Sequence, residues 1–168
     1  DEWFAAAAEV GLQTELEVAA VAAALRRLPD LAPSVLLEVN VSPRVALTDD
    51  FAECVAGVPP NRLVIELTEH VPVDDYDALV AGLAHFRGDG ILVAVDDAGA
   101  GYAGLQHLVT LRPEVLKLDR QLTVDIEADP ARRAMAASMV HFADEIGAVL
   151  VAEGIETQAA LDTLRQLG

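Results

Sequence analysis

The sequence predicts an α/β fold built on parallel strands. Three observations carry that expectation. Short apolar runs recur at Val35–Val39, Leu63–Ile65, Ile91–Val95, Val115–Leu118 and Val149–Ala152. Each is short and predominantly apolar, as in a strand buried on both faces, with Glu38 and Lys117 the only charged residues inside the runs. Stretches with apolar residues at three- and four-residue spacing separate the runs, and every run gives way to a polar residue at its C-terminal end. Strand, helix, strand, repeated, implies right-handed βαβ units and a parallel sheet. A doubly wound sheet and a (β/α)8 TIM-type barrel both satisfy that rhythm. Five strands are too few to close a barrel, so the barrel reading requires further strands outside residues 1–168.

Each element has local support. The helical stretches are Leu12–Leu28, Asp75–Arg87, Ala131–Ile146 and Thr157–Leu167. Pro130 suits a first helical turn, where its missing N–H has no partner to lose, and Gly147 and Gly168 suit helix ends. No low-complexity stretch, long linker or repeat interrupts the chain, so residues 1–168 are expected to form one domain.

Composition limits what such a fold can do. The 168 residues include 28 acidic and 11 basic side chains, a formal charge of −17, with 53% hydrophobic residues. That hydrophobic fraction argues against disorder. The single cysteine, Cys54, rules out a disulfide scaffold within the chain. A strongly negative surface opposes sequence-independent binding to DNA or RNA, which needs a basic stripe. No segment has the roughly 18–20 uninterrupted apolar residues of a membrane span. Asp1-Glu2-Trp3-Phe4 lacks the basic start of a signal peptide. The expected location is the cytoplasm, with a membrane-tethered parent still compatible. One basic residue stands apart: Lys117 is the only lysine beside ten arginines, and it lies within an apolar run.

The strand ends carry the chemistry. In order they deliver Asn40, Glu66, Asp96 with Asp97, Lys117 with Asp119, and Glu153. In a parallel sheet these ends share one side, which in barrels is the catalytic rim. Any one of them alone reads as a helix cap or turn residue; Asn40 precedes Ser42-Pro43, and Glu69 could cap the next segment. Five strand ends out of five favour a site. Adjacent carboxylates such as Asp96 and Asp97 repel unless a cation or proton intervenes. Carboxylate and amide oxygens suit Mg2+ or Mn2+, whereas zinc sites feature His or Cys. His70, His85, His107 and His141 are scattered without ligand spacing, and Cys54 reads as a packed helix residue. Gly99-Ala-Gly101-Tyr-Ala-Gly104 matches a dinucleotide-binding fingerprint, with Asp119 about twenty residues on. Asp96 and Asp97 stand between the strand and the first glycine, where their charge opposes a pyrophosphate. The glycines are therefore read as a loop carrying the acidic pair.

Taken together, Asn40-Val-Ser-Pro43, Glu66-Leu-Thr-Glu69, Asp96-Asp-Ala-Gly-Ala-Gly-Tyr102, Lys117-Leu-Asp119 and Ala152-Glu-Gly-Ile-Glu-Thr157 resemble, in order and spacing, the strand-end motifs of EAL domains. The stretch from Phe4 to Leu12 is similar to the one that follows that family's naming motif. EAL domains are bacterial phosphodiesterases that linearise cyclic di-GMP on a (β/α)8 barrel. The resemblance implies a two-metal site for Mg2+ or Mn2+, with Asn40, Glu66 and Asp96 at one ion and Asp96, Asp97 and Glu153 at the second. It gives Lys117 and Glu153 catalytic roles near the attacking water, with Glu69, Asp119 and Glu156 in support; substrate-contacting residues are not assigned. It also implies a homodimer; direct membrane contact is not expected, for want of a membrane-span segment. About five of the eight strands are expected here, with the first two and the last outside the chain.

Two positions depart from the family pattern: Ala98 stands where a phenylalanine is usual, and Ala103 where a serine is usual. They support an alternative reading, a catalytically weak EAL domain acting as a cyclic di-GMP receptor or dimerisation module.

Overall fold

The polypeptide alternates strands and helices throughout, and every strand pair described below is parallel. The computed structural model describes residues 2–67, 73, 75–98 and 102–168; the side chains of residues 2, 97, 98, 102–105 and 107 lie outside the description. The chain divides into two compact units, Asp1–Val93 and Ala94–Gly168.

The first unit begins with α1 (Glu2–Glu9) and α2 (Gln13–Leu25), followed by a short 3-10 turn. Strand β1 (Leu37–Val41) leads into α3 (Pro43–Ala46) and α4 (Asp49–Val55), then β2 (Leu63–Leu67) and α5 (Tyr76–Gly88). Capping explains the helix starts. The Ser42 hydroxyl accepts from Val45 N, with Pro43 following as first helical residue, Thr48 accepts from Phe51 N, and Asp75 accepts from Ala78 N. β1 and β2 pair in register from Leu37 opposite Leu63 to Val41 opposite Leu67. Val39, Val41, Leu63, Ile65, Leu79 and Leu83 are buried, and Phe51 meets Phe86 edge-on with ring centroids 5.4 Å apart. β2 is buried along its whole length, as its apolar run implies. β1 is not: Val39 and Val41 are buried while Glu38 and Asn40 are exposed, so it alternates with period two. It also starts two residues later than the apolar run, leaving Val35 and Leu36 exposed.

Strand β3 (Leu92–Ala98) runs from the first unit into the second, which continues with α6 (Tyr102–Leu111), β4 (Val115–Leu118), α7 (Arg120–Thr123), α8 (Pro130–Ile146), β5 (Val149–Ala152) and α9 (Gln158–Leu167). The predicted spans of β4 and β5 match residue for residue. Helix α8 starts and stops where its caps dictate. Asp129 accepts from Ala131 N and Arg132 N ahead of Pro130, and Gly147 closes the helix in the left-handed region at φ +74°. Thr157 caps α9 through Ala160 N. β5 departs from the expectation of burial on both faces: Val149 is 62% exposed and Val151 40%. Within this unit β5 pairs with β4, and an apolar run does not reveal which of its faces is covered.

The β3–β4 pairing is irregular. Ala94 lies opposite Val115 and Val95 opposite Leu116, but Ala98 lies opposite Leu118. Asp96 and Asp97 thus face the single residue Lys117: β3 carries a one-residue bulge at the acidic pair, a device that re-aims side chains beside functional sites. The pair is part of β3 itself, which corrects the expectation that a glycine loop carries it. Gly99 to Gly101 lie outside the described residues.

Candidate functional site

In the first unit, Asn40 and Glu66 are direct register partners on β1 and β2. Paired residues of parallel strands project to the same face, so an amide and a carboxylate stand side by side. Glu66 is buried, whereas Asn40 is exposed into a cavity of about 610 Å³ that Phe4, Gln13, Glu17 and Ser42 also line. Glu17 was missed by the motif reading. It is 6% exposed on α2, and its Oε2 accepts from the backbone N–H of Ser42 at 2.8 Å while Oε1 accepts from Gln13 Nε2 at 2.7 Å. A carboxylate from another helix thus holds the junction just beyond Asn40. The signal was present: Gln13, Glu17, Val21 and Ala24 share one helical face, and an acid in that stripe requires a buried partner. Glu17→Ala is expected to destabilise the protein by about 1–3 kcal/mol, because the Ser42 N–H loses its acceptor. Glu17→Gln, which keeps an oxygen, should lose less. Equal melting temperatures for wild type and Glu17→Ala would contradict this.

In the second unit, the strand ends gather around Lys117. Its side chain is 10% exposed, and its Nζ lies 2.7 Å from Glu153 Oε1 and 3.9 Å from Asp96 Oδ1. Each contact follows from the register. The bulge sets Asp96 and Asp97 against Lys117, and β4 pairs with β5 through Leu118 opposite Ala152, so Glu153 emerges one residue further on. An ammonium this buried requires anionic partners, and a flexible four-carbon stem lets a compact charge reach both.

The remaining predicted residues divide. Asp119 is buried and caps α7, its Oδ1 accepting from Gln121 N at 2.8 Å. Glu156 points to Arg120, 2.6 Å from Nη2, in a largely exposed ion pair that ties the segment after β5 to α7. The methylenes of Arg120 also lie against Gly154: a Cβ there would stand 2.5 Å from Arg120 Cγ, and φ is +64°. That backbone conformation and that contact together call for glycine. Arg120, which the motif reading passed over, is thus part of the brace around Glu153. The side chain of Asp97 and the whole of Glu69 lie outside the described residues, as do His70 and the side chains of Ala98, Ala103 and His107. Among the described histidines, His85 pairs with Asp89 on an exposed surface and His141 is exposed on α8. Cys54 is half-buried on α4, and burial raises its thiol pKa above the usual range, the opposite of an activated nucleophile.

The donor chemistry suits a hard divalent cation. In the first unit Asn40 and Glu66 offer oxygen atoms, and in the second Asp96 and Glu153 do, with no sulfur or imidazole in either pair. Glu153 and Asp96 already converge on one cationic nitrogen. Among the described residues, no group of three or more carboxylate, histidine or cysteine side chains forms a ready cage. Nor is any described helix long and apolar enough to cross a membrane.

Parallel βα units that carry oxygen donors at their strand ends, and in the second unit a buried lysine, define an α/β protein of the parallel-strand class. The chain belongs to the EAL domain family, whose sequence model matches residues 1–168. The EAL domain of Mycobacterium smegmatis DcpA is similar in structure, with a TM-score of 0.78 and 33% identity over 91% of this chain and 71% of that one. Klebsiella pneumoniae BlrP1, solved in complex with manganese and cyclic di-GMP, matches with a TM-score of 0.75 and 29% identity over 93% of this chain and 42% of that one. PdeG of Escherichia coli K12, named a probable cyclic di-GMP phosphodiesterase, is 35% identical over 105 residues, 62% of this chain and 21% of the relative. The chain spans about a fifth of the length of the curated relatives it matches. The fold class is therefore the TIM-barrel-like α/β fold of EAL domains.

Proposed function

We propose that this domain is a divalent-metal-dependent phosphodiesterase that hydrolyses cyclic di-GMP to the linear dinucleotide, acting as a homodimer in the bacterial cytoplasm. The observation that carries the reading is the ammonium of Lys117, buried at the end of β4 between the carboxylates of Glu153 and Asp96. The named activity of PdeG and the cyclic di-GMP complex of BlrP1 support it.

In this reading Asn40, Glu66 and Asp96 hold one ion, and Asp96, Asp97 and Glu153 the other. Bound Mg2+ or Mn2+ would supply a water of lowered pKa and offset the charge of the phosphodiester. The chain's own groups do the rest. Lys117 donates from Nζ, orienting the attacking oxygen and stabilising the negative charge that grows on the phosphoryl oxygens. The Glu153 carboxylate, held by that same Nζ, accepts the proton of the attacking water. Glu17 holds the backbone N–H of Ser42, two residues beyond Asn40, and Asp119 anchors the turn that follows Lys117.

Incubated with cyclic di-GMP and Mn2+ or Mg2+, the natural full-length protein should release the linear dinucleotide, resolved by chromatography. EDTA should stop the reaction, and excess Mn2+ should restore it. Calorimetric binding of cyclic di-GMP with no turnover in either metal would replace this reading with that of a receptor.

A further inference from the structure

Thr123, the last residue of α7, is 1% exposed and belongs to none of the strand-end motifs. Its Oγ1 lies 2.7 Å from the carbonyl oxygen of Glu153 and 3.1 Å from that of Arg120. A hydroxyl has one proton to give. The Arg120 carbonyl already accepts from Val124 N at 3.0 Å, and the Glu153 contact is the shorter, so the proton goes to Glu153. The backbone of Glu153 is thereby held on both sides: its N–H reaches Leu118 O at 3.4 Å, and its C=O receives the Thr123 hydroxyl. The next residue, Gly154, is fixed in the left-handed region against the stem of Arg120. Little freedom remains in the peptide from which the Glu153 carboxylate reaches Lys117.

We propose that Thr123 is a positioning residue for the hydrolysis: its hydroxyl fixes the Glu153 carbonyl and so sets the direction in which the Glu153 carboxylate meets Lys117. This rests on the phosphodiesterase reading for its link to turnover, but the fixing of Glu153 is measurable without it. Valine has the shape of threonine and no donor; serine keeps the donor and loses a methyl group.

The test compares wild type, Thr123→Val and Thr123→Ser in the natural full-length protein. It follows amide hydrogen exchange in residues 153–157, melting temperature, and kcat and KM for cyclic di-GMP with Mn2+. Thr123→Val should speed exchange in that segment several-fold and lower the melting temperature by no more than a few degrees. It should lower kcat about tenfold, the weight of one part-buried hydrogen bond whose effect is felt at the transition state, with KM nearly unchanged. Thr123→Ser should return both exchange and kcat towards wild type. Wild-type exchange and kcat in Thr123→Val would overturn the inference. So would equal losses in Thr123→Val and Thr123→Ser, which would assign the effect to packing of the methyl group. Absence of turnover in wild type would count against the phosphodiesterase reading alone, and the exchange measurement would still decide the role of Thr123.

Discussion

Replacing Glu153 with glutamine is expected to reduce turnover of cyclic di-GMP by about 10²–10⁴-fold, the range for losing a positioned proton acceptor. The substitution is close to isosteric. It leaves the carbonyl that Thr123 holds and the N–H that reaches Leu118, so the β5–α9 connection should keep its path and the melting temperature should move little. What changes is the charge next to Lys117 Nζ, 2.7 Å away. An amide oxygen can still accept a hydrogen bond from the ammonium, but it cannot take a proton from water near neutral pH. As a neutral donor it is also a weaker ligand for a hard cation. A higher Mn2+ requirement should therefore accompany the fall in kcat. Activity within tenfold of wild type, at saturating Mn2+, would remove Glu153 from the catalytic role.

The second large effect is expected at Lys117. Lys117→Met keeps an unbranched stem of similar length between Leu116 and Leu118, both fully buried, while deleting the ammonium. Turnover should fall by about 10²–10³-fold, as when a preorganised donor to a developing oxyanion is removed. Stability should not follow activity downwards. Removing a buried charge spares its desolvation, and the carboxylates left behind are partly hydrated, Glu153 at 45% and Asp96 at 30% side-chain exposure. Lys117→Arg should fail to rescue, because a planar fork cannot occupy a space shaped for a compact ammonium. Paired kinetics and thermal melts on the two variants decide the point. A Lys117→Met protein that melts far below wild type would show the lysine to be structural first.

Much of this arrangement was legible in the residues. β4 and β5 were delimited by their apolar runs, and α8 by Pro130 and Gly147, because burial and capping act locally and leave local marks. Lys117 was legible by contrast, as the single lysine of an arginine-using chain set inside an apolar run. β1 was misplaced because hydropathy marked Val35 and Leu36, whereas pairing with β2 selects Leu37 to Val41. Its alternation between Val39 and Asn40 was overlooked for the same reason. Glu17 and Thr123 escaped because their partners lie 25 and 30 residues away, and only the folded chain brings them together. Glu156 carried a motif position, yet its carboxylate is engaged by Arg120: spacing finds the segment, and tertiary contacts decide which way each side chain turns.

The bulge in β3 has a further consequence, for anyone who would move this chemistry to another scaffold. In a regular strand neighbouring residues project to opposite faces, so an Asp-Asp dipeptide grafted there would send one acid to each side. In β3 the surplus residue gives the backbone two positions, Asp96 and Asp97, opposite the single position of Lys117. What must be transplanted is therefore a miscount between two strands: trimming β3 by one residue to restore an even ladder would leave both aspartates in the sequence and dissolve their shared address.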